Sequence, residues 1–289
     1  MEIAIIIAFA YSKTNQDPNR HHLPGILIDI YHAYKYVTSL TKNIIVITDI
    51  VSNADISELK DSIINDTVDL SILDLLNTLR SNNQLIEYSN KKELLTTLKR
   101  NCHSRSKIFV YYTGHSLHGN ILLPTMNNDM CYRQDNPVDF TLNFSIFRDA
   151  LSTSSSSTQI MVVLDCCGSQ GLHLNYKLQN GIYTLISRTD KAYPLQEIIC
   201  FSSTMSDEVS IASREGSLFS YVFFNNLKKY RNIVELLNKV TEQTSKKFSQ
   251  TPTVYSTYPD AKLIWRWLIH NDDVSVKLNL LGNYFIVKK

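Results

Sequence analysis

Short apolar runs alternate with segments of helical periodicity along this chain, and this alternation restricts its possible folds more than any other feature. A short apolar run between polar residues is typical of a buried strand, whereas apolar residues at helical spacing indicate a helix that packs on one face. The runs that predict strands lie at residues 3–10, 44–48, 108–113, 160–165, 198–203 and 253–256. Such alternation is typical of helices packed on a mostly parallel sheet. The sequence therefore predicts an α/β fold with a mostly parallel six-stranded sheet flanked by helices.

Helical periodicity is clearest in residues 25–40, where Ile26, Ile30 and Ala33 recur at helical spacing. Further helices are predicted at residues 70–79, 93–98, 218–227 and 233–248. Residues 51–88 are longer than a connection in such a fold usually needs. We therefore predict that they form an insertion with its own helix.

Composition and charge exclude several classes of function. The 29 Lys and Arg residues nearly balance the 27 Asp and Glu residues, so charge indicates neither a nucleic-acid nor a membrane partner. The first apolar run is far shorter than the ~20 residues that a membrane-spanning helix needs. No glycine-rich phosphate loop follows it. Without a secretory signal at this point of the chain, we expect a cytoplasmic protein.

The five cysteines are odd in number and show no paired spacing, which suits free thiols in a reducing compartment. Neither these cysteines nor the adjacent His21 and His22 show the spacing of zinc ligands. We therefore expect no metal site and no required cofactor.

Two apolar runs end in residues with catalytic chemistry. The run MVVLDCCGSQG, residues 161–171, places Cys167 at a strand end, and IFVYYTGHSLHG, residues 108–119, does the same for His115. A cysteine nucleophile needs an imidazole that accepts its proton and later protonates the leaving amine. His115 precedes Cys167 by 52 positions (167 − 115). Taken alone, Cys167 has the simpler interpretation of a buried packing residue, but the strand end, the following glycine and the upstream histidine favour a nucleophile.

Several motifs together resemble those of the caspase and metacaspase peptidases. YYTGHS is similar to the family's Tyr-Ser-Gly-His-Gly strand end, and DCCGS to its Asp-Ser-Cys-His-Ser nucleophile turn. The segments CFSSTMSDEVS, GSLFSYVFFNNL and QTPTVYS follow in the family's order. The resemblance implies a cysteine endopeptidase of protein or peptide substrates with a dyad of His115 and Cys167. By motif register Cys166 is a packing residue and His118 a loop residue.

The resemblance also implies a division of the chain. Residues 1–171 correspond to a large-subunit-like part that contains the insertion at 51–88. Residues 172–197 form a polar linker in which processing is expected, and residues 198–289 form a small-subunit-like part with a C-terminal extension. Residues that a processing cut would follow are Lys177, Arg188 and Lys191. Many metacaspases are activated by calcium, and the sequence leaves open whether this chain is.

The chain departs from the family pattern at two places. The family usually has Gly after the catalytic His, and its N–H helps to form the oxyanion hole; this chain has Ser116. We expect an oxyanion hole made by the N–H groups of Cys167 and Ser116, provided that the backbone at Ser116 accommodates a Cβ. After the nucleophile the chain has Gly-Ser-Gln-Gly in place of the family's His-Ser-Gly. These departures leave open an inactive interaction module, a pseudo-peptidase or decoy.

Specificity is predicted from Asp165, two residues before the nucleophile. The resemblance implies a substrate pocket at this position, where caspases keep a glutamine and bind aspartate. A carboxylate there attracts a basic side chain and repels an acidic one. The sequence predicts cleavage after Arg or Lys, with Asp165 as the main pocket residue and Asp207 as a weaker candidate. The alternative is that Asp165 only caps the turn after its strand.

Overall fold

The structure is a computed structural model. It describes residues 1–11, 22–23, 25–50, 66–124, 140–152, 157–169, 171–186, 196–213, 215–230, 232–245, 248 and 250–259, with the backbone only for residues 66–73. The C-terminal extension beyond Pro259 lies outside these residues.

The strands are β1 (Ile3–Ala8), β2 (Ile44–Thr48), β3 (Leu85–Glu87), β4 (Lys107–Thr113), β5 (Ser116–Leu117), β6 (Asn120–Leu122), β7 (Thr141–Asn143), β8 (Gln159–Asp165), β9 (Tyr176–Gln179), β10 (Ile182–Leu185), β11 (Glu197–Ser202), β12 (Ala212–Ser213), β13 (Gly216–Ser217) and β14 (Thr253–Ser256). The helices are α1 (Ile26–Val37), α2 (Asp66–Ser81), α3 (Lys91–Cys102), α4 (Phe144–Leu151), α5 (Leu218–Leu227) and α6 (Ile233–Ser245). A 3₁₀ turn covers Gly171–His173.

A central sheet has the strand order β10-β9-β14-β11-β8-β4-β1-β2-β3. From β3 to β11 all neighbours are parallel, whereas β14, β9 and β10 are added in antiparallel pairs. The α/β class and the mostly parallel sheet are thus confirmed. All six predicted strands are present, and they form a continuous block of this sheet.

The count of six strands was too low, because the described residues form nine in this sheet. Strand β3 has only three residues and no apolar run, so it has no periodicity signal. Strands β9 and β10 form a hairpin within the interval predicted as a linker. Its turn is Asn180-Gly181, with positive φ at both residues, as a type I′ hairpin turn requires. Asn-Gly is a recognised signal of a hairpin turn, but apolar runs alone do not predict this hairpin.

Five of the six described helices were predicted, and α2 lies in the insertion at 51–88. The sixth, α4, is short; Asn143 is its N-cap, and the Asn143 side-chain oxygen accepts the Ser145 N–H (2.8 Å). None of the helices in the described part of the chain is both long and apolar enough to cross a membrane.

The core lies on both faces of the sheet because β1 alternates its side chains between two layers. Ile3, Ile5 and Ile7 pack on the side of α3 and α4, whereas the alternate residues of β1 face α1, α5 and α6. A strand buried on both faces reads as an unbroken apolar run, which explains the sequence IAIIIA. Each fully buried Ile or Leu side chain contributes about 1.5–3 kcal/mol relative to an exposed one.

Gly171, which lies against Tyr255, provides a test of how tightly the core is packed. It has φ +56°, and a Cβ there would lie 2.1 Å from ring atoms of Tyr255 on β14. Gly181 also has a positive φ, +80°, but its nearest neighbour would be Val234 at 3.8 Å. We expect Gly171→Ala to lower the free energy of unfolding by about 3 kcal/mol, from overpacking and backbone strain, and Gly181→Ala by about 1 kcal/mol from strain alone. Urea unfolding measures both; equal losses would contradict the Tyr255 contact.

Candidate active site

The two proposed catalytic residues follow neighbouring parallel strands. In the register of β4 and β8, Thr113 lies opposite Asp165. His115 and Cys167 each come two residues after this aligned pair, so both leave the sheet at its carboxyl edge. The Gly114 N–H donates to the Asp165 carbonyl (3.3 Å) and ties the two strand ends together. The structure therefore brings the two sequence-predicted residues to one place.

Cys167 is half-buried, and its sulfur accepts a hydrogen bond from the Ser210 N–H (3.4 Å). Burial raises the pKa of its thiol; the Ser210 N–H lowers it, and the Asp165 carboxylate raises it further. At neutral pH the thiol is therefore protonated, and attack on a carbonyl requires a base.

The turn after Cys167 depends on Gly168. This residue has φ +52°, and its N–H donates to the Glu208 carbonyl (2.9 Å). A Cβ at Gly168 would lie 2.7 Å from the Ser206 carbonyl oxygen. Glycine is thus needed here for both conformation and space, whatever residues the family usually has in this turn.

Cys166 is fully buried in the layer that faces α3 and α4, and burial raises its pKa far above the usual range. Its backbone N–H and carbonyl are held by the hydroxyls of Ser203 and Thr204. This placement agrees with its interpretation as a packing residue.

The backbone of His115 is held by two tyrosine hydroxyls. The His115 N–H donates to the Tyr11 hydroxyl (2.8 Å), and the His115 carbonyl accepts from the Tyr112 hydroxyl (2.7 Å) and the Leu122 N–H (3.0 Å). The Tyr11 ring lies beside the imidazole, with 4.7 Å between ring centroids. His118 lies in the turn between β5 and β6 with φ +48°, as expected of a loop residue.

Ser116 occupies the first position of β5, where the extended backbone accommodates a Cβ. Its hydroxyl donates to the Cys167 carbonyl, which joins the two loops of the site. Because the Leu122 N–H bonds to the carbonyl of His115, Ser116 and Ile121 form the non-hydrogen-bonded pair of this ladder. The Ser116 N–H therefore points away from β6.

Asp165 is buried and fully engaged in hydrogen bonds. It accepts from the Ser210 hydroxyl (2.6 Å), the Ser220 hydroxyl (2.5 Å) and the Ser220 N–H (3.2 Å). Burial raises its pKa, although these hydroxyl groups oppose the shift. Since Ser220 lies in the first turn of α5, the carboxylate also caps that helix.

A second buried carboxylate, Asp29, was missed at the sequence level. It accepts from the Ser217 N–H (2.8 Å) and the Thr113 hydroxyl (3.2 Å). Burial raises the pKa of Asp29 well above its usual range, and the negative charge of Asp165 raises it further. Its signal in the sequence is a carboxylate three residues after Ile26, on the apolar face of α1.

The other predicted site residues are placed differently. Asp207 is exposed on the loop after β11, whereas its neighbour Glu208 accepts the N–H groups of Met205 (3.0 Å) and Thr251 (2.8 Å). Lys177 lies within β9, with its ammonium nitrogen 3.9 Å from the Met205 sulfur. Arg188 and Lys191 lie outside the described residues. Over the same described part of the chain, no group of three or more His, Cys, Asp or Glu side chains is arranged to hold a metal ion.

Comparison with protein families identifies the class of this arrangement. A family model of peptidase C14, described as a caspase domain, matches residues 33–264. This match covers most of the chain, so the chain belongs to the caspase-domain family of cysteine peptidases. A search of curated proteins found no match.

The raised pKa of Asp29 predicts a gain in stability when its charge is removed. A carboxyl group with a raised pKa in the folded state lowers stability above its unfolded pKa of about 3.8. Asparagine keeps one oxygen for the Ser217 N–H and turns an NH₂ group toward the Thr113 hydroxyl, which can accept. We expect Asp29→Asn to raise the Tm at neutral pH by about 2–4 °C, for a gain near 1 kcal/mol.

Thermal unfolding across pH measures this effect. The difference in Tm between Asp29→Asn and wild type should be largest at neutral pH. It should disappear as the pH falls through 3.8, because the Asp29 carboxyl group then becomes protonated in the unfolded state as well as in the folded state. Asp149→Asn, which removes an exposed carboxylate, is the control. A lower Tm for Asp29→Asn at neutral pH would contradict the prediction.

Proposed function

We propose that this member of the caspase-domain family is an endopeptidase that cleaves after Arg or Lys with a dyad of His115 and Cys167. The observation that carries the proposal is the arrangement at one sheet edge. The two residues follow the aligned pair Thr113 and Asp165, and a second buried carboxylate, Asp29, bonds to Thr113. The proposed nucleophile and base and two buried carboxylates thus share neighbouring strand ends.

The chemistry follows from the state of the thiol. Since burial raises the pKa of Cys167, His115 takes the thiol proton as the sulfur attacks the peptide carbonyl. The developing oxyanion is stabilised by the N–H of Cys167 and by that of Ser116, which points away from β6. The protonated His115 then donates to the leaving amine. Water releases the acyl group from the sulfur, and the thiol is restored.

Two carboxylates support a preference for basic substrates. Burial raises the pKa of both carboxyl groups, and the charge of Asp165 raises the pKa of Asp29 further. Neither has a positive partner among the contacts described above, so their ionised forms are disfavoured in the free protein. At ~4 Å and an effective dielectric near 20, a cation and a carboxylate attract by roughly 4 kcal/mol before desolvation. Both carboxylates also lie at the N-terminus of α5, where Asp165 accepts the Ser220 N–H and Asp29 accepts the N–H of Ser217, the residue before the helix.

We propose that the protein is located in the cytoplasm. The four described cysteines are free, and three of them are buried, which suits a reducing compartment. The partners would be protein or peptide substrates, and the near balance of positive and negative charge supports neither nucleic acid nor membrane as a partner.

Peptides that differ only in the residue before the scissile bond test the proposal. We expect hydrolysis after Arg and Lys and none after Asp, because a carboxylate would meet two others in the pocket. Hydrolysis and labelling by a thiol-directed peptide electrophile should disappear in Cys167→Ala and remain in Cys166→Ala. A folded protein that neither cleaves nor labels, with or without calcium, would favour the decoy alternative.

Variants of Asp165 and Asp207 test which residue determines the specificity. Asp165→Asn should reduce kcat/KM for the Arg peptide by at least tenfold, a difference of about 1.4 kcal/mol in transition-state stabilisation. Asp207→Asn removes an exposed, solvent-screened charge and should change kcat/KM by less than about threefold. For wild type, kcat/KM for the Arg peptide should fall as the pH falls through the raised pKa values of the two carboxyl groups, since protonation removes the charges.

Self-processing is a separate proposal, supported by basic residues between the nucleophile and β11. Cutting after Arg188 or Lys191 leaves the β9–β10 hairpin paired with β14, so the two fragments would remain associated. Lys177 lies inside β9, and cutting after it would require β9 to leave the sheet. We therefore expect two associated fragments from a cut after Arg188 or Lys191.

Intact-mass measurement of wild type beside Cys167→Ala checks this expectation. The cut should appear in wild type alone. Identical masses for the two proteins after prolonged incubation with calcium would count against self-processing.

A further inference from the structure

A polar cluster on the side of His115 away from the acidic pocket has no role in the mechanism above. It consists of Tyr11, which follows β1, Asp49, which follows β2, and Tyr112 on β4. The Tyr11 hydroxyl lies between the backbone of His115 and that of Leu122 on β6. It accepts from the His115 N–H (2.8 Å) and donates to the Leu122 carbonyl (2.9 Å).

This hydroxyl replaces a hydrogen bond of the antiparallel ladder. His115 and Leu122 form a hydrogen-bonded pair, in which the Leu122 N–H already donates to the His115 carbonyl. In a regular pair the His115 N–H would donate directly to the Leu122 carbonyl. The inserted hydroxyl takes both groups and fixes the backbone from which the imidazole projects.

The ring of Tyr11 acts on the imidazole as well. The two ring centroids are 4.7 Å apart and the planes differ by 37°. An aromatic ring within about 6 Å restricts rotation of the imidazole and attracts its positive charge once His115 has taken a proton. The hydroxyl and the ring therefore hold different parts of the same residue.

Tyr11 itself is held in an unusual conformation. It has φ +58°, a left-handed backbone that non-glycine residues rarely adopt and that costs about 1–2 kcal/mol. The buried carboxylate of Asp49 accepts the N–H groups of Ala10 (2.8 Å) and Tyr11 (2.6 Å), and these charge-assisted bonds offset the strain. Strain that the surrounding structure maintains in this way indicates a function.

The residue before His115 fits the same cluster. A Cβ at Gly114 would lie 2.7 Å from the Tyr112 hydroxyl and 2.8 Å from the Tyr11 hydroxyl. Glycine at this position therefore leaves the space that both hydroxyls occupy. Burial raises the pKa of Tyr11 well above its usual range, so its hydroxyl stays neutral and can both donate and accept.

We propose that Tyr11 is a positioning residue for His115, with Asp49 holding Tyr11 in place. The proposal rests on the proposed function, because it assigns His115 the role of base. Tyr11 acts through the histidine, whose backbone N–H and ring it contacts. Loss of its hydroxyl should therefore affect the rate of the chemical step more than substrate binding.

Kinetics of Tyr11→Phe, which keeps the ring, and Tyr11→Leu, which removes it, provide the first measurement. We expect kcat on an Arg peptide to fall roughly tenfold in Tyr11→Phe and about a hundredfold in Tyr11→Leu, with KM within about twofold of wild type. Tyr36→Phe is the matched control, because Tyr36 is buried on α1 against Phe109 and Phe224, in the core layer on the opposite face of the sheet from Tyr11 and Tyr112. Its kcat should equal that of wild type.

Alkylation of Cys167 by iodoacetamide across pH gives a readout that needs neither turnover nor the pocket. Wild type and Tyr36→Phe should share one profile, His115→Ala should need a higher pH, and Tyr11→Phe should lie between them. A wild-type profile equal to that of His115→Ala would overturn the dyad and the positioning role together. A wild-type profile distinct from His115→Ala but equal to that of Tyr11→Phe, with unchanged kcat, would overturn the role of Tyr11 alone.

Discussion

The register between β4 and β8 is the constraint on which the site depends. It places Thr113 opposite Asp165, so that the residues after them emerge together. Both strands are interior to the sheet, and both of their faces are buried. A slip of one residue would exchange the side chains that face α1 and α5 with those that face α3 and α4, which the packed core does not allow. Core packing therefore fixes the relative positions of His115 and Cys167.

The sequence predicted the local features of this arrangement. Apolar runs indicated the six central strands, and the residue types at two strand ends indicated a nucleophile and a base. What it did not reveal was the edge of the sheet, because β9 and β10 have only four residues each, too few for a clear pattern, and β10 is largely exposed. The Asn180-Gly181 turn was the available signal, and it indicates a hairpin without showing where that hairpin pairs.

The remaining parts of the site join residues that are distant in the chain. Tyr11 bonds to His115 across 104 positions, and Asp29 bonds to Ser217 across 188. No periodicity or spacing encodes such contacts, since they exist only once β1, β4 and α1 are assembled. Asp29 has a signal in the sequence, as a carboxylate on an apolar helix face, whereas a tyrosine after an apolar run has no such signal.

The groups at this site share one physical property: burial opposes their charged forms. It raises the pKa of Cys167, Asp165 and Asp29 alike, so the free site is uncharged more readily than the same groups in water. In the proposed function, a basic substrate side chain would favour the ionised carboxylates, and His115 would favour the thiolate by taking the thiol proton. Ser210 connects the two events, since its hydroxyl bonds to Asp165 and its N–H bonds to the Cys167 sulfur. Ser210 therefore links the Asp165 carboxyl group to the Cys167 sulfur, and the charge of Asp165 affects the pKa of that thiol.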